Sequence, residues 1–290
     1  MSTYLITGAT GGLGRAAVDT LLQTVPAAQI AVLVRDSAKA ADLAAQGVVV
    51  RQGDYDDYAS LTAALAGVEK VLLVSGSDVA HRIAQHTNVV NAAKEAGVQH
   101  VVYTSIPRQS ATGSLDLAFV VDSHLATERL LQASGLAYTI LQNTLYLEVL
   151  PLFMGPVLET GTLYLPAGEG RVPYASRADL GTAAGIVLST PGHENQSYAL
   201  TGPHSYSFAD IAQLLSELSG KAITYVSPTA EEFVTQLAGA MKPAEIITLT
   251  AGFMAAIAQG ELAAVSSTLA QLLGREPEGL REFLKQAYQL

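Results

Sequence analysis

The chain has 290 residues, 49% hydrophobic and 14% charged, with a net charge of −10 and no cysteine. That length and composition fit a globular protein of one or two domains and exclude a disordered chain. The acidic balance disfavours nucleic-acid binding, and the missing thiols exclude disulfides, thiolate nucleophiles and cysteine metal sites.

The chain opens on Tyr4–Thr7, an apolar run of strand length with no basic stretch before it. No signal peptide is expected, and a cytoplasmic protein is. The loop Gly8-Ala9-Thr10-Gly11-Gly12-Leu13-Gly14 follows at once and leads into a helical segment near 12–24. Glycine at 8 permits a tight turn, at 11 the approach of a pyrophosphate, and at 14 close packing of helix on strand. Exposed N–H groups and the helix dipole favour phosphate there, so Gly8, Thr10, Gly11, Gly12, Leu13 and Gly14 read as a dinucleotide-binding loop.

Strand-length runs recur at 30–34, 48–51, 71–74, 101–104 and 138–141, separated by helical segments near 37–45, 58–66, 80–96 and 117–134. Each run is short and apolar throughout, as strands buried on both faces are. Gly47, Gly67, Gly97 and Gly135 stand just after these helices, where a left-handed cap is wanted. The alternation predicts a Rossmann-type doubly wound parallel α/β sheet over residues 1–146.

In such a sheet, ligands bind at the loops following the strands. The second strand ends at Val34-Arg35-Asp36, where an acidic residue would hold the ribose of NAD and an arginine the 2′-phosphate of NADP. Arg35, with Lys39 a turn further on, favours NADP; Asp36 keeps NAD open, and a solvated surface charge is the plainer reading of Arg35. Gly53-Asp54-Tyr55 follows the third strand, where Asp54 either reaches an adenine amino group or caps the next helix. Ser75, Gly76 and Ser77 follow the fourth and are small enough to let backbone pass close to a ribose or nicotinamide.

After Tyr146 the rhythm breaks at Pro151, Pro156, Gly161 and Pro166. A helix is expected from Ser176 to about Leu188, strands near 198–200 and 223–226, a helix capped by Ser207 between them, and mainly helix from Thr229 onward. Residues 147–290 thus read as a smaller, mostly helical substrate-binding lobe that does not fold independently. Its most apolar stretch, 246–258, is shorter than the roughly 20 residues of a membrane span, so a buried helix is expected and no membrane partner. His81 and His86 lie five apart, off one helical face, and no metal is expected.

Thr7-Gly8-Ala9-Thr10-Gly11, Val34-Arg35, Gly53-Asp54-Tyr55, Tyr103-Thr104-Ser105 and Ser134-Gly135-Leu136-Ala137-Tyr138-Thr139-Ile140-Leu141 resemble the NmrA-like group of atypical short-chain dehydrogenases/reductases. The resemblance covers almost the whole chain and is strongest before residue 150. Thr24-Val25-Pro26-Ala27, Ala44-Ala45-Gln46-Gly47-Val48 and His124-Leu125-Ala126-Thr127-Glu128 make it similar, within that group, to bacterial zinc-free NAD(P)H:quinone oxidoreductases and triphenylmethane dye reductases. This implies an oxidoreductase using NADP(H) in preference to NAD(H), without metal or flavin, acting on a small-molecule electron acceptor. It further implies that Asn143, Thr144, Leu145 and Tyr146 run along the nicotinamide, Asn143 positioning the carboxamide and Tyr146 either flooring or hydrogen-bonding the acceptor, as a catalytic residue beside His124, or packing as a lid. A homodimer through the helices near 80–96 and 117–134 is expected by the same analogy.

Ordinary short-chain dehydrogenases carry Tyr-x-x-x-Lys on the helix after the fifth strand, with Glu four residues on. Setting Glu128 on that Glu places His124 at the lysine position and Val120 at the tyrosine position. Without that relay, reducing a simple ketone leaves a strongly basic alkoxide. A quinone yields instead a resonance-stabilised phenolate-type anion, and a cationic dye carbon needs no acid. The expected reaction is therefore direct hydride transfer to a quinone or similar conjugated electrophile. His124 reads either as a hydrogen-bond donor to substrate or ribose or as a packed helical histidine. Phe153, Met154, Tyr164 and Tyr174 are expected to wall the nicotinamide. Two other functions fit: a non-catalytic NAD(P)-sensing regulator acting through a protein partner, and a reductase or isomerase with His124 as its acid.

Overall fold

The computed structural model describes residues 3–108, 117–241 and 243–290. Its first half alternates as expected: β1 (Tyr4–Thr7), α1 (Gly12–Leu21), β2 (Ile30–Val34), α2 (Ala41–Ala45), β3 (Val49–Gln52), α3 (Tyr58–Leu65), β4 (Lys70–Leu73), α4 (Arg82–Glu95), β5 (His100–Ser105), α5 (Ala118–Ala133) and β6 (Ala137–Asn143). Gly47, Gly67, Gly97 and Gly135 all take positive φ, between 71° and 87°, ending their helices as a Cβ-free residue can.

Then come α6 (Leu150–Met154), α7 (Val157–Thr160), β7 (Thr162–Tyr164), β8 (Arg171–Val172), α8 (Arg177–Ser189), β9 (Gln196–Leu200) and β10 (Tyr206–Ser207). The chain finishes with α9 (Phe208–Ser219), β11 (Thr224–Val226), α10 (Ala230–Gly239), α11 (Ala244–Ala258), α12 (Thr268–Leu273) and α13 (Leu280–Tyr288). Ser176 and Ser207 cap α8 and α9 through their side-chain oxygens.

Among the described residues, seven strands form one parallel sheet in the order β3-β2-β1-β4-β5-β6-β9. Successive side chains of a strand face opposite ways, so β1 sends Ile6 to one layer and Leu5 to the other. Ile6, Val32, Leu72, Val102 and Leu141 pack beneath α1, α8 and α12. Leu5, Leu33, Val71, Val101 and Tyr103 pack beneath α3, α4 and α5. Each fully buried aliphatic side chain contributes roughly 1.5–3 kcal/mol on leaving water. This is a Rossmann-type doubly wound fold. The strand order reverses between β1 and β4, which opens a crevice at the strand C-termini.

The packing carries residues beyond 146 into the sheet layers. β9 pairs with β6, and α8 lies so close on α1 that a Cβ at Gly181 would strike the Leu13 carbonyl. At Gly185 a Cβ would come within 2.9 Å of the Ala17 carbonyl. α8, β9 and α12 therefore share a core with the first half, although their place in the sequence put them in the smaller lobe. The rest of the C-terminal half gathers round Leu163, Phe208, Ile211, Ile257 and Leu284. α11 presses Ala256 and Phe253 on Val120, Val121 and Leu125 of α5, fixing this second core beside the crevice. It spans 15 residues, and no helix among the described residues is long and apolar enough to cross a membrane.

Candidate active site

A cleft of about 780 Å³ follows the crevice across the strand ends. The glycine loop forms one end. Gly8 sits at φ 61°, and its carbonyl accepts the Gly11 N–H at 3.0 Å. A Cβ at Gly14 would collide with that same Gly8 carbonyl, so the loop closes on α1 only with glycine there. Gly11 caps α1 without any side-chain hydrogen bond. The amides of the first turn are thereby left for a ligand, and the helix end favours an anion. Gly8, Thr10, Gly11, Gly12, Leu13 and Gly14 all line the cleft.

Arg35 is exposed at the end of β2 and lines the cleft. It forms no ion pair among the described residues. Asp36, its rival for the ribose, turns away: Oδ1 accepts the Ala38 N–H at 3.0 Å and caps the short turn at 37–40. Asp54 does not cap α3, which Asp57 does through the Ser60 N–H at 3.1 Å. Instead Asp54 Oδ1 accepts the Asp56 N–H at 3.1 Å, and the residue lines the cleft beside Tyr55. The Tyr55 hydroxyl is held between Thr7 Oγ1 and the Val74 carbonyl, so it ties β1 to the loop after β4. Only its ring is left to a ligand.

Beyond that point the cleft passes the ends of β4, β5 and β6. The Ser75 N–H donates to Thr104 Oγ1 at 2.8 Å, and the Gly76 N–H to His86 Nε2 at 3.1 Å. These bonds fix the backbone of 75–77 as one wall. Four buried polar atoms here have no hydrogen-bond partner: Ser75 Oγ, Thr144 Oγ1 and both amide atoms of Asn143. Asn143 lies beside the Tyr146 hydroxyl, yet neither amide atom completes a bond. Buried polar atoms are normally satisfied, so this cluster fits a ligand carrying both a donor and an acceptor, as a carboxamide does. The residues present thus fit a nicotinamide dinucleotide laid from the glycine loop to Asn143.

The wall behind Ser75–Ser77 is built from polar residues on facing stripes of α4 and α5. His86 is fully buried; its Nε2 accepts from Gly76, so Nδ1 carries the proton and donates to Thr127 Oγ1 at 2.9 Å. Burial, then the nearby Arg82 charge, hold its pKa down to about 3. His124 is 7% exposed and lines the cleft. Its Nδ1 lies 2.7 Å from the Tyr103 hydroxyl and its Nε2 3.4 Å from Arg82 Nη1. Arginine only donates, so Nε2 accepts and the proton sits on Nδ1. Burial first, then Arg82, His86 and Arg108, push the His124 pKa well below its ordinary value. His124 is neutral at pH 7 and is not an imidazolium acid. Glu128 takes a two-pronged ion pair from Arg108, at 2.9 and 2.7 Å, and a hydrogen bond from Ser105 Oγ. It anchors the chain leaving β5.

The apolar wall differs from expectation. Phe153, Met154, Tyr164 and Tyr174 do not line the cleft; the lobe's own core claims them. Ile106, Val120, Leu145, Val149 and Phe253 take that place, with Phe153 supporting Phe253 at 6.1 Å between ring centroids. Tyr146 does line the cleft, its ring covered by the Arg177 guanidinium at 4.8 Å. Burial raises the pKa of its hydroxyl, against the opposing pull of Asn143 and Arg177. Arg177 itself passes over the glycine loop, its Cδ 3.5 Å from where a side chain at Gly12 would begin.

Arg82, Gln85, Arg177 and Phe253 also line the cleft and went unmarked in the sequence. A signal for the first two existed: Arg82, Gln85 and His86 begin the helical stripe that Val89, Val90 and Ala93 continue, so polar residues head a buried face. Nothing local marks Phe253. Residues 109–116, between β5 and α5, lie outside the described residues.

Residues 1–284 match the NmrA-like family. The chain is 42% identical over 277 residues to quinone oxidoreductase 2 of Escherichia coli, covering 96% of each chain. Its structure is similar to that of an NADPH-dependent quinone oxidoreductase from Escherichia coli complexed with NADPH. There the TM-score is 0.93 at 41% identity, over 98% of this chain and 99% of that one. It is also similar to the triphenylmethane reductase of Citrobacter sp. complexed with NADP(H), with TM-score 0.89 at 40% identity, over 98% and 99%.

Proposed function

The chain belongs to the NmrA-like family, and on that premise we propose that it is an NAD(P)H-dependent reductase passing hydride directly to a quinone or similar conjugated electrophile. NADP(H) is its preferred nucleotide. The loop 8–14 takes the pyrophosphate on its free amides, Arg35 the 2′-phosphate, and Asp54 with the Tyr55 ring the adenine end. Ser75, Gly76 and Ser77 border the ribose and nicotinamide, and Asn143 with Thr144 receives the carboxamide. Leu145 and Tyr146 continue that floor toward the acceptor. When bound, the dihydronicotinamide supplies the hydride.

The observation that carries this reading is the state of the acidic groups at the acceptor end. His124 is held neutral and the Tyr146 hydroxyl is held above its usual pKa, both chiefly by burial. Neither gives up a proton readily, so the pocket suits an acceptor whose reduced form is a weak base. Quinones meet that condition and simple ketones do not. Ile106, Val120, Val149 and Phe253 supply a dry wall for a flat conjugated ring. The quinone and dye reductases among its relatives favour catalysis over the regulatory reading.

The test is to mix the protein with NADPH and a panel of benzoquinones and follow the nicotinamide absorbance. Saturable oxidation is expected. A rate no higher than in buffer for every acceptor would reject the proposal.

A further inference from the structure

Arg82 heads α4 on its cleft side and is only 6% exposed. Nε donates to the Gly76 carbonyl at 2.9 Å; Nη1 donates to Ser123 Oγ at 2.9 Å and approaches His124 Nε2 at 3.4 Å. Nη2 makes no hydrogen bond among the described residues, and it is not one of the buried atoms sealed from solvent. It is therefore open to the cleft.

The partners of Arg82 are all neutral. The carboxylates around it are used elsewhere: Asp78 pairs with His81, Asp56 accepts from Gln85, and Glu128 is taken by Arg108 and Ser105. Arg82 forms no ion pair among the described residues. A buried charge without a counter-charge is expensive, and burial does lower the Arg82 pKa, although a guanidinium stays protonated. Such an arrangement makes physical sense where a ligand brings the negative charge. Three neutral groups hold the fork in place, and one donor edge is left over on a residue that lines the cleft.

We propose that Arg82 is a catalytic residue of the reductase reaction described above. Its free Nη2 edge meets the acceptor oxygen that becomes anionic when hydride arrives. The same charge selects neutral carbonyl acceptors over cationic ones. In the step, the acceptor gains one hydrogen with its electron pair from the bound dinucleotide, which is left oxidised. That hydrogen bonds to one quinone oxygen, the ring π pairs shift, and the π pair of the opposite C=O becomes a lone pair on its oxygen, held as an oxyanion by Arg82 until a solvent proton converts it to the hydroquinone. Preplaced donors of this kind favour the developing charge without reorganising. The role rests on the reductase reading, and the anion that Arg82 meets is distinct from the phosphates gathered at residues 8–14.

The test uses 4-nitrophenol, whose ionised form imitates the half-finished product and is read by its absorbance. Wild type, Arg82→Gln and Arg82→Lys are each saturated with oxidised NADP and titrated with the phenol across pH. Wild type should bind the phenolate roughly tenfold or more tightly than the phenol, as a charge-assisted hydrogen bond implies. Arg82→Gln should lose that preference and Arg82→Lys should keep much of it, with NADP affinity by calorimetry unchanged in both. The role is overturned if wild type leaves the phenol titrating as in free solution, or if Arg82→Gln keeps the preference. It is equally overturned if Arg82→Gln weakens NADP as much as phenolate, because the anion is then a cofactor phosphate. Should Arg82→Gln fail to fold, wild type alone decides: kcat/KM for benzoquinones must exceed that for cationic triphenylmethane dyes, and the reverse order overturns the role. Quinone turnover without phenolate preference rejects Arg82 alone. Phenolate preference without any quinone turnover rejects the reductase reading and this catalytic role with it.

Discussion

The two ends of the cleft are built on different plans. At the nucleotide end, seven consecutive residues, 8–14, form the turn, the helix start and the free amides, and Arg35 stands at the next strand end. At the acceptor end, His124 comes from α5, Arg82 from α4, Phe253 from α11 and Arg177, whose guanidinium covers the Tyr146 ring, from α8. The first site is contained in one short segment, which closes on α1 only with glycine at 14. The second depends on the docking of four helices drawn from both halves of the chain. Binding and chemistry should therefore respond separately to mutation.

The largest effect is expected at Gly14. Gly14→Val places side-chain atoms against the Gly8 carbonyl, an overpacking of about 1–3 kcal/mol or more. Calorimetry should find NADP(H) binding abolished and the melting temperature lowered; unchanged affinity would mean the loop does not hold the nucleotide. Next comes Arg35→Gln. Loss of a hydrogen bond to a charged group, about 1.5–3 kcal/mol, should weaken NADPH roughly 10- to 100-fold and leave NADH nearly unaffected. Equal weakening of both would place Arg35 away from the 2′-phosphate.

Away from the glycine loop the effects are smaller and differ in kind. His86, behind the cleft wall, and His100, at the far end of β5 against Thr139, are held at pKa about 3 and about 4, chiefly by burial, against an ordinary 6.5. Between pH 6.5 and 5 the unfolded chain binds protons that these folded imidazoles refuse, so stability falls as pH drops. Thermal melting should show that decline, and a flat or rising melting temperature would contradict two buried neutral histidines. The smallest effect is expected for His124→Ala. Turnover with a benzoquinone should fall by far less than the roughly 100-fold that loss of a general acid brings, with its pH profile unchanged. A large loss, or a lost ionisation, would make His124 the acid after all.

The same contrast explains what could be read before the structure. The sheet was legible because Ile6, Val32, Leu72 and Leu141 sit in uniformly apolar runs between helices ended by glycine. The glycine loop at the cleft's end was legible because its residues are contiguous. The elements of the smaller lobe were legible too, but not which of them join the sheet layers: Gly181 and Gly185 bring α8 onto α1, a contact between residues roughly 170 positions apart, which is a tertiary and not a local signal. Aromatic residues near 153–174 looked suitable for the wall, but the lobe's own core outcompetes the cleft for them. Arg82 and Phe253 act only through contacts made after both helices have docked.

The most direct test is a single turnover. The protein bound to NADPH is mixed rapidly with a stoichiometric benzoquinone, once with ordinary NADPH and once with deuterium at the transferred position. Direct hydride transfer requires that the nicotinamide band decay as hydroquinone appears, at one shared rate that deuterium slows. A nicotinamide band that persists as it does in buffer would contradict direct hydride transfer.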